Sequence, residues 1–180
     1  MKPFADRQRS SGMTQTILFP HRRALLSGAG ALTIAACTSK AARADEAAFA
    51  SSPARRTTDA QWRAQLPGLS YDVLRHEATE RPFTSPLNDE HRAGTFVCKA
   101  CDLPLFLSAW KFDSGTGWPS FFQANPANIA TKRDLAIGIP RTEYHCARCL
   151  GHQGHVFDDG PRPTGKRYCN NGVALNFKPG

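Results

Sequence analysis

The sequence predicts a mainly β domain of antiparallel strands, opened by a short helix and clipped together by one structural zinc ion. Three observations carry this expectation. Short apolar runs, Thr95–Cys98, Leu105–Leu107, Ala136–Ile139 and Val173–Phe177, sit between Gly, Pro and Asn breakers, and helical periodicity is scarce. Short strands divided by turn signals favour antiparallel sheets. The second observation is a pair of CxxC knuckles, Cys98-Lys-Ala-Cys101 and Cys146-Ala-Arg-Cys149, separated by 44 residues. Four thiolates delivered in pairs on tight turns match a tetrahedral zinc site. One CxxC would fit a redox pair equally well, and local disulfides in an exported protein are the competing reading. A closed four-thiolate site has no open position for water, so its metal holds distant parts of one domain and does no chemistry. The third observation is the stretch from about Asp59 to Gln65, which reads as a helix with Asp59 as its N-cap. Pro67-Gly68 stops it, and Tyr71-Asp72-Val73-Leu74 resumes as strand.

Residues 1–44 read as an export signal outside that domain. Arg22-Arg23 precedes an uncharged run of 14 residues from Ala24 to Cys37, short of the ~20 needed to span a bilayer as a helix. The arginine pair resembles a twin-arginine signal. Ala42-Arg43-Ala44 offers a small-x-small cleavage site. Ile34-Ala35-Ala36-Cys37 competes with it as a lipobox whose cysteine would carry a lipid anchor. Met1 and Met13 are alternative starts. Residues 45–58, rich in Ala, Ser and Pro, read as a mobile linker. Residues 59–178 then form one domain, of a size that one core and a metal clip can hold.

The formal charge of +8 belongs mostly to the leader, where seven Lys/Arg face one acidic residue and the remainder carries only +2. The basic balance therefore reports on targeting and gives no support for a nucleic-acid partner. A periplasmic or otherwise exported protein is expected. Membrane contact would come only through the N-terminal segment, and the domain is expected to be a monomer.

The chemistry points to the C-terminal quarter. Arg167-Tyr168-Cys169-Asn170-Asn171 presents a cysteine with no CxxC partner beside an arginine. A neighbouring cation favours the thiolate, the reactive form of sulfur. His152-Gln153-Gly154-His155 supplies two imidazoles able to move protons near neutral pH. A lone thiol with imidazoles suggests nucleophilic sulfur chemistry. The plainer readings are a buried Cys169 acting as a small hydrophobe and histidines belonging to the zinc side, since His152 follows Cys149 by three residues. No His/carboxylate set with an open position suggests a zinc hydrolase.

Gly115-Thr116-Gly117-Trp118-Pro119-Ser120-Phe121, Gly154-His155-Val156-Phe157-Asp158-Asp159-Gly160-Pro161 and Arg167–Asn171 occur in that order, interleaved with the two knuckles and preceded by Ala78-Thr79-Glu80-Arg81-Pro82-Phe83-Thr84. Together they resemble the peptide-methionine (R)-S-oxide reductases, the type B methionine sulfoxide reductases, from about Trp62 to Phe177. The resemblance implies two antiparallel sheets, a structural zinc away from the active site, and thiol-dependent reduction of methionine-R-sulfoxide in oxidised proteins. It implies Cys169 as the nucleophile, passing through a sulfenic acid, and His152 and His155 as proton donors to the departing oxygen. Trp118 would pack on the substrate methyl group, its alternative being plain core packing. Asp159 and Asn171 would orient the histidines and the cysteine loop, and Arg167 would stabilise the thiolate. Thr79, Glu80 and Phe83 would give structural support, with Asp158 a solvated acid.

Three positions depart from the family's pattern. Thr116 stands where many members carry a resolving cysteine. Gly172 replaces a usual serine, which would loosen the cysteine loop. Gln153 replaces an apolar residue, with little consequence expected. With four cysteines on zinc and Cys37 removed or acylated, no resolving thiol remains. An external, thioredoxin-like thiol would then be the reductant. The rival reading is a zinc-stabilised binding or chaperone module on the same scaffold, which leaves Cys169, both histidines and Trp118 unexplained.

Overall fold

The structure, a computed structural model, describes residues 46–180. The stretch read as an export signal, residues 1–44, lies outside the described residues. Among those described, no helix is long and apolar enough to cross a membrane.

The domain opens with two helices. α1 spans Asp59–Gln65, and its N-cap is Thr58, one residue earlier than the sequence suggests. Thr58 and Gln61 close a reciprocal capping box, and Trp62 is the buried residue of the helix. Pro67 does stop α1, but a second helix, α2 (Gly68–His76), follows where a strand is expected. Its buried residues Ser70, Tyr71, Val73 and Leu74 fall on one helical face. Glu77 then ends it in the left-handed region.

Nine strands follow: β1 (Gly94–Cys98), β2 (Pro104–Leu107), β3 (Lys111–Phe112), β4 (Ser120–Phe121), β5 (Ile129–Asp134), β6 (Arg141–Cys146), β7 (His152–Phe157), β8 (Arg167–Asn170) and β9 (Leu175–Pro179). They make two antiparallel sheets, β2-β1-β9 and β3-β4-β8-β7-β6-β5. Phe96, Phe106, Phe121 and Tyr144 are fully buried in the core. Phe106 stacks on Phe121 with ring centroids 4.1 Å apart, and Phe96 meets Phe121 edge-on at 5.0 Å. The expected strand at Ala136–Ile139 is instead the turn between β5 and β6. Its apolar side chains point to solvent, with Ile137 60 % and Ile139 64 % exposed. At Val173 the chain makes a 3-10 turn before β9 begins.

Residues 46–58 differ from the expected mobile linker, because they lie against the domain. Arg55 donates to the carbonyls of Ala147 (2.6 Å) and Arg148 (2.9 Å), capping the second knuckle. Phe49 packs with Ala130 and Ala147, and the carboxylate of Glu46 reaches His145 Nε2 at 3.1 Å. Backbone acceptors left over by the knuckle turn give this polar segment specific partners.

Candidate functional site

The register of the large sheet builds the site. Across β4, β8, β7, β6 and β5, residues Ser120, Cys169, His155, Glu143 and Lys132 stand directly opposite one another. Opposed residues of adjacent strands share a face, so the thiol, an imidazole and a carboxylate form one row. A bulge adjusts the second histidine. Tyr144 opposes Gly154 while His145 opposes His152, leaving Gln153 as the extra residue of β7. The slip of one residue moves His152 onto the face of His155 and sends Gln153 the other way. The two rings lie 5.5 Å apart. The Gln153 amide donates to Cys98 Sγ at 3.4 Å, so this residue joins the cysteine cluster, contrary to the small role expected for it.

A cavity of about 150 Å³ opens over the row, lined by Cys169, His155, Trp118, Thr79, Phe157 and Asn171 among others. His152 is buried and sits behind His155, outside that lining. Trp118 is pinned by its indole N–H donating to Glu80 O at 2.9 Å. Gly117, at φ +87°, turns the chain into Trp118, and a Cβ there would meet Phe83 at 2.7 Å. Gly154 lets β8 approach, since a Cβ on it would lie 1.9 Å from Cys169 O. Asn171 clamps the cysteine loop, accepting from Glu80 N–H at 2.9 Å and donating to Gln153 O at 3.0 Å. Thr79, expected to be support alone, is part of the cavity wall.

Two carboxylates back the histidines, and neither is Asp159. His152 Nδ1 pairs with Glu143 at 2.7 Å, and His155 Nε2 pairs with Asp134 at 2.7 Å. Asp159 instead holds Arg167 through two hydrogen bonds of 2.8 Å. Asp158 is exposed and pairs with Lys166. Arg167 also lies over the Phe157 ring at 4.4 Å, so it is anchored beside the thiol. Glu143 and Asp134 escape a reading of the sequence because their strands are rich in polar residues, show no burial alternation and carry no motif. The one available signal is Glu143 and His145 on the same side of a single strand, with period 2.

Burial pushes the Cys169 thiol above its ordinary value, and Arg167 together with the Thr116 hydroxyl only partly opposes this. The resting sulfur is therefore protonated near pH 7, where the arginine alone would suggest a thiolate. Burial likewise lowers His155, against the pull of Asp134, so this imidazole is neutral. Burial would raise the Glu143 carboxyl, but His145 and His152 outweigh it and hold the group at about 2. The Ala136 N–H, then His155 and Arg141, keep Asp134 well below the usual carboxylate range.

The other four cysteines gather on the far side of β7. Their sulfurs all lie within 4.8 Å of one another, with Cys98–Cys149 at 3.6 Å and Cys101–Cys146 at 3.5 Å. No disulfide forms among the described cysteines. A tetrahedron with bonds of about 2.3 Å to sulfur has edges of about 3.8 Å, so the four residues fit a tetracoordinate structural metal. Cys98, Cys146 and Cys149 are buried and Cys101 is half-buried, and a metal held by all four sulfurs would have no open position for a reactant.

Residues 66–179 match the SelR domain. The chain is 51 % identical over 129 residues to the peptide methionine sulfoxide reductase MsrB of Agrobacterium fabrum, covering 71 % of this chain and 96 % of that protein. Identity to the MsrB of Pseudomonas putida is 57 % over 121 residues, covering 66 % and 90 %. For that of Thiobacillus denitrificans it is 53 % over 123 residues, covering 68 % and 93 %. A lone thiol facing an imidazole, a separate four-cysteine cluster and a match through the whole sheet domain converge, and the chain belongs to the SelR domain family, that of the MsrB proteins.

Proposed function

We propose that this protein repairs oxidised proteins by reducing methionine-R-sulfoxide at Cys169. Methionine sulfoxide reduction is the activity its relatives are named for. The observation that carries the site assignment is the Cys169–His155 pairing beside Trp118 in the cavity. Cys169 is also the only cysteine outside the four-sulfur cluster among the described residues.

The chemistry follows from that geometry. The substrate thioether methyl rests on the Trp118 face, where sulfur and methyl contacts are favourable. Cys169 sulfur attacks the sulfoxide sulfur while its proton, relayed through neutral His155, reaches the sulfoxide oxygen. His155 is held for this by Asp134, and His152 by Glu143. The sulfur–sulfur bond made by this attack then breaks as the protonated oxygen passes from the substrate sulfur to Cys169 sulfur; its electron pair stays on the substrate sulfur, so methionine leaves and Cys169 becomes a sulfenic acid. Thr116 reaches Cys169 with a hydroxyl and cannot form a disulfide. An external thiol therefore attacks the sulfenic sulfur, releasing water and leaving a mixed disulfide. A second thiol then returns Cys169 to its reduced form. Cys98, Cys101, Cys146 and Cys149 hold one zinc ion, whose chemistry is cross-linking alone. The arginine pair of residues 1–44 supports a reading in which the substrates are exported proteins, and export after folding would load the metal before the thiols meet an oxidising compartment.

The test is stereochemical. A racemic N-acetyl-methionine sulfoxide amide given with dithiothreitol should be half consumed, leaving the S epimer. Consumption of both epimers at similar rates would contradict the placement of methyl on Trp118 and oxygen toward His155.

A further inference from the structure

The turn between β5 and β6 exposes apolar side chains where the fold has no need of them. Of the large hydrophobic residues exposed among the described residues, Leu135, Ile137 and Ile139 fall within five consecutive positions, at 56 %, 60 % and 64 % exposure. The turn is built, with Gly138 N–H donating to Leu135 O at 3.0 Å and Gly138 at φ +76°. Contiguous apolar exposure of this kind marks an interaction site.

Both ends of the turn touch the site, because Asp134 holds His155 and Arg141 lines the cavity. Asp134 precedes it, and one oxygen of that carboxylate accepts from Ala136 N–H at 2.8 Å within the turn. The other oxygen accepts from His155 at 2.7 Å and from Arg141. Arg141 follows the turn, lines the cavity and carries a buried Nε with no acceptor among the described residues. An unpaired buried donor beside a cavity points to a ligand that supplies the acceptor, such as a main-chain carbonyl. Arg141 therefore joins the apolar turn to the cavity.

Methionine in folded proteins lies mostly among other apolar residues. A polypeptide that presents its sulfoxide to Cys169 brings those neighbours with it. We infer that the 135–140 turn is the docking surface for apolar residues flanking an oxidised methionine in a polypeptide substrate. Leu135, Ile137 and Ile139 bury the flanking side chains, and Arg141 Nε–H takes a carbonyl of the same segment. The inference rests on the reading of the cavity as the methionine sulfoxide site, and it adds a specificity determinant outside the cavity.

The experiment compares three substrates on the full protein and on Ile137→Ser/Ile139→Ser. They are the N-acetyl-methionine-R-sulfoxide amide, a peptide with this residue between leucines and valines, and the same peptide with serines and glutamines instead. The native protein should prefer the apolar peptide, and the variant should lose about tenfold in kcat/KM on it, through KM. Activity of the variant on the small amide should be unchanged, which also certifies its fold. An equal loss on amide and peptide would overturn the inference, since the turn would then act only by holding Asp134 against His155. Unchanged peptide kinetics, with or without a change in self-association by sedimentation, would overturn it as well, assigning the turn to no partner or to a second copy. A native protein inert toward the amide itself would sink the reading of the cavity, and this inference with it.

Discussion

Strand β7 separates two kinds of cysteine. On one side Cys98, Cys101, Cys146 and Cys149 face one another at sulfur–sulfur distances as short as 3.5 Å, with a Gln153 N–H donating to Cys98. On the other, Cys169 faces a cavity, with an imidazole across the ladder and no second sulfur beside it. The residue type is the same and the burial of the thiols overlaps. Company makes the difference: four clustered thiols fit a cation that would neutralise their thiolates, while burial keeps the lone thiol protonated. The Gln153 bulge sorts the side chains of one strand between the two sides, so one slip in register serves both the metal and the histidines.

The comparison can be broken most severely on the metal side. Binding at a structural zinc site is worth about 10 kcal/mol or more, comparable to a domain's whole stability of ~5–15 kcal/mol. Cys146→Ser should therefore cost most of the cooperative melting transition and the bound metal together. Retention of the native melting curve by a metal-free protein would show that the cluster is not the clip. On the catalytic side, Cys169→Ser should leave melting and metal content intact while turnover falls by roughly a thousandfold or more. Residual turnover close to the native rate would remove Cys169 from the nucleophile's role.

Glu143→Gln removes the charged acceptor of His152 and His145, and turnover should fall about tenfold to a hundredfold, part of what a positioned proton donor contributes. The same variant changes the acid limb of stability. The native carboxyl is held at about 2, below its ordinary value of 4.5. Its contribution is therefore full above pH 4.5 and lost as pH falls toward 2. Urea melts across that window should show a shallower pH dependence for the Gln variant. An unchanged slope would mean the His–Glu143–His contact carries no net stability.

Gly172 gives a still smaller test, and it corrects an expectation. A Cβ there would lie 1.8 Å from Ser85 Oγ, so Ser85 fills the space that the family's serine would occupy and the loop is packed, not loosened. Gly172→Ser should destabilise by about 1–3 kcal/mol, and Ser85→Gly in the same chain should relieve most of that. The smallest shift concerns Arg167→Leu. Alkylation of Cys169 by iodoacetamide should move to higher pH, because burial would then be opposed by Thr116 alone. A shift to lower pH would show that Arg167 does not favour the thiolate.

The sequence revealed the chemistry better than the scaffold. Paired CxxC spacing is a statement about ligand geometry, so the cluster could be read directly, and the β1 and β2 runs are apolar because both are buried. Tyr71–Leu74 was legible only as an apolar run, which periodicity cannot assign over four residues, and Pro67 hid a second helix by acting as its N-cap. Ala136–Ile139 misled for the opposite reason, being apolar and yet exposed. β5, β6 and β7 are polar strands, and Asp134 and Glu143 reach the histidines only through register. Register is set by tertiary pairing, which also explains why Asp159 looked like their partner when in space it belongs to Arg167.

The expectation most exposed to experiment is that Cys169 works alone while the four clustered thiols remain on the metal. It is tested by giving the reduced protein one portion of methionine-R-sulfoxide peptide without reductant, in the presence of dimedone, and mapping the products by mass. One methionine formed per chain, one dimedone adduct on Cys169 and undiminished metal content are expected. An intramolecular disulfide between Cys169 and a cysteine of the cluster, with metal released, would contradict the account.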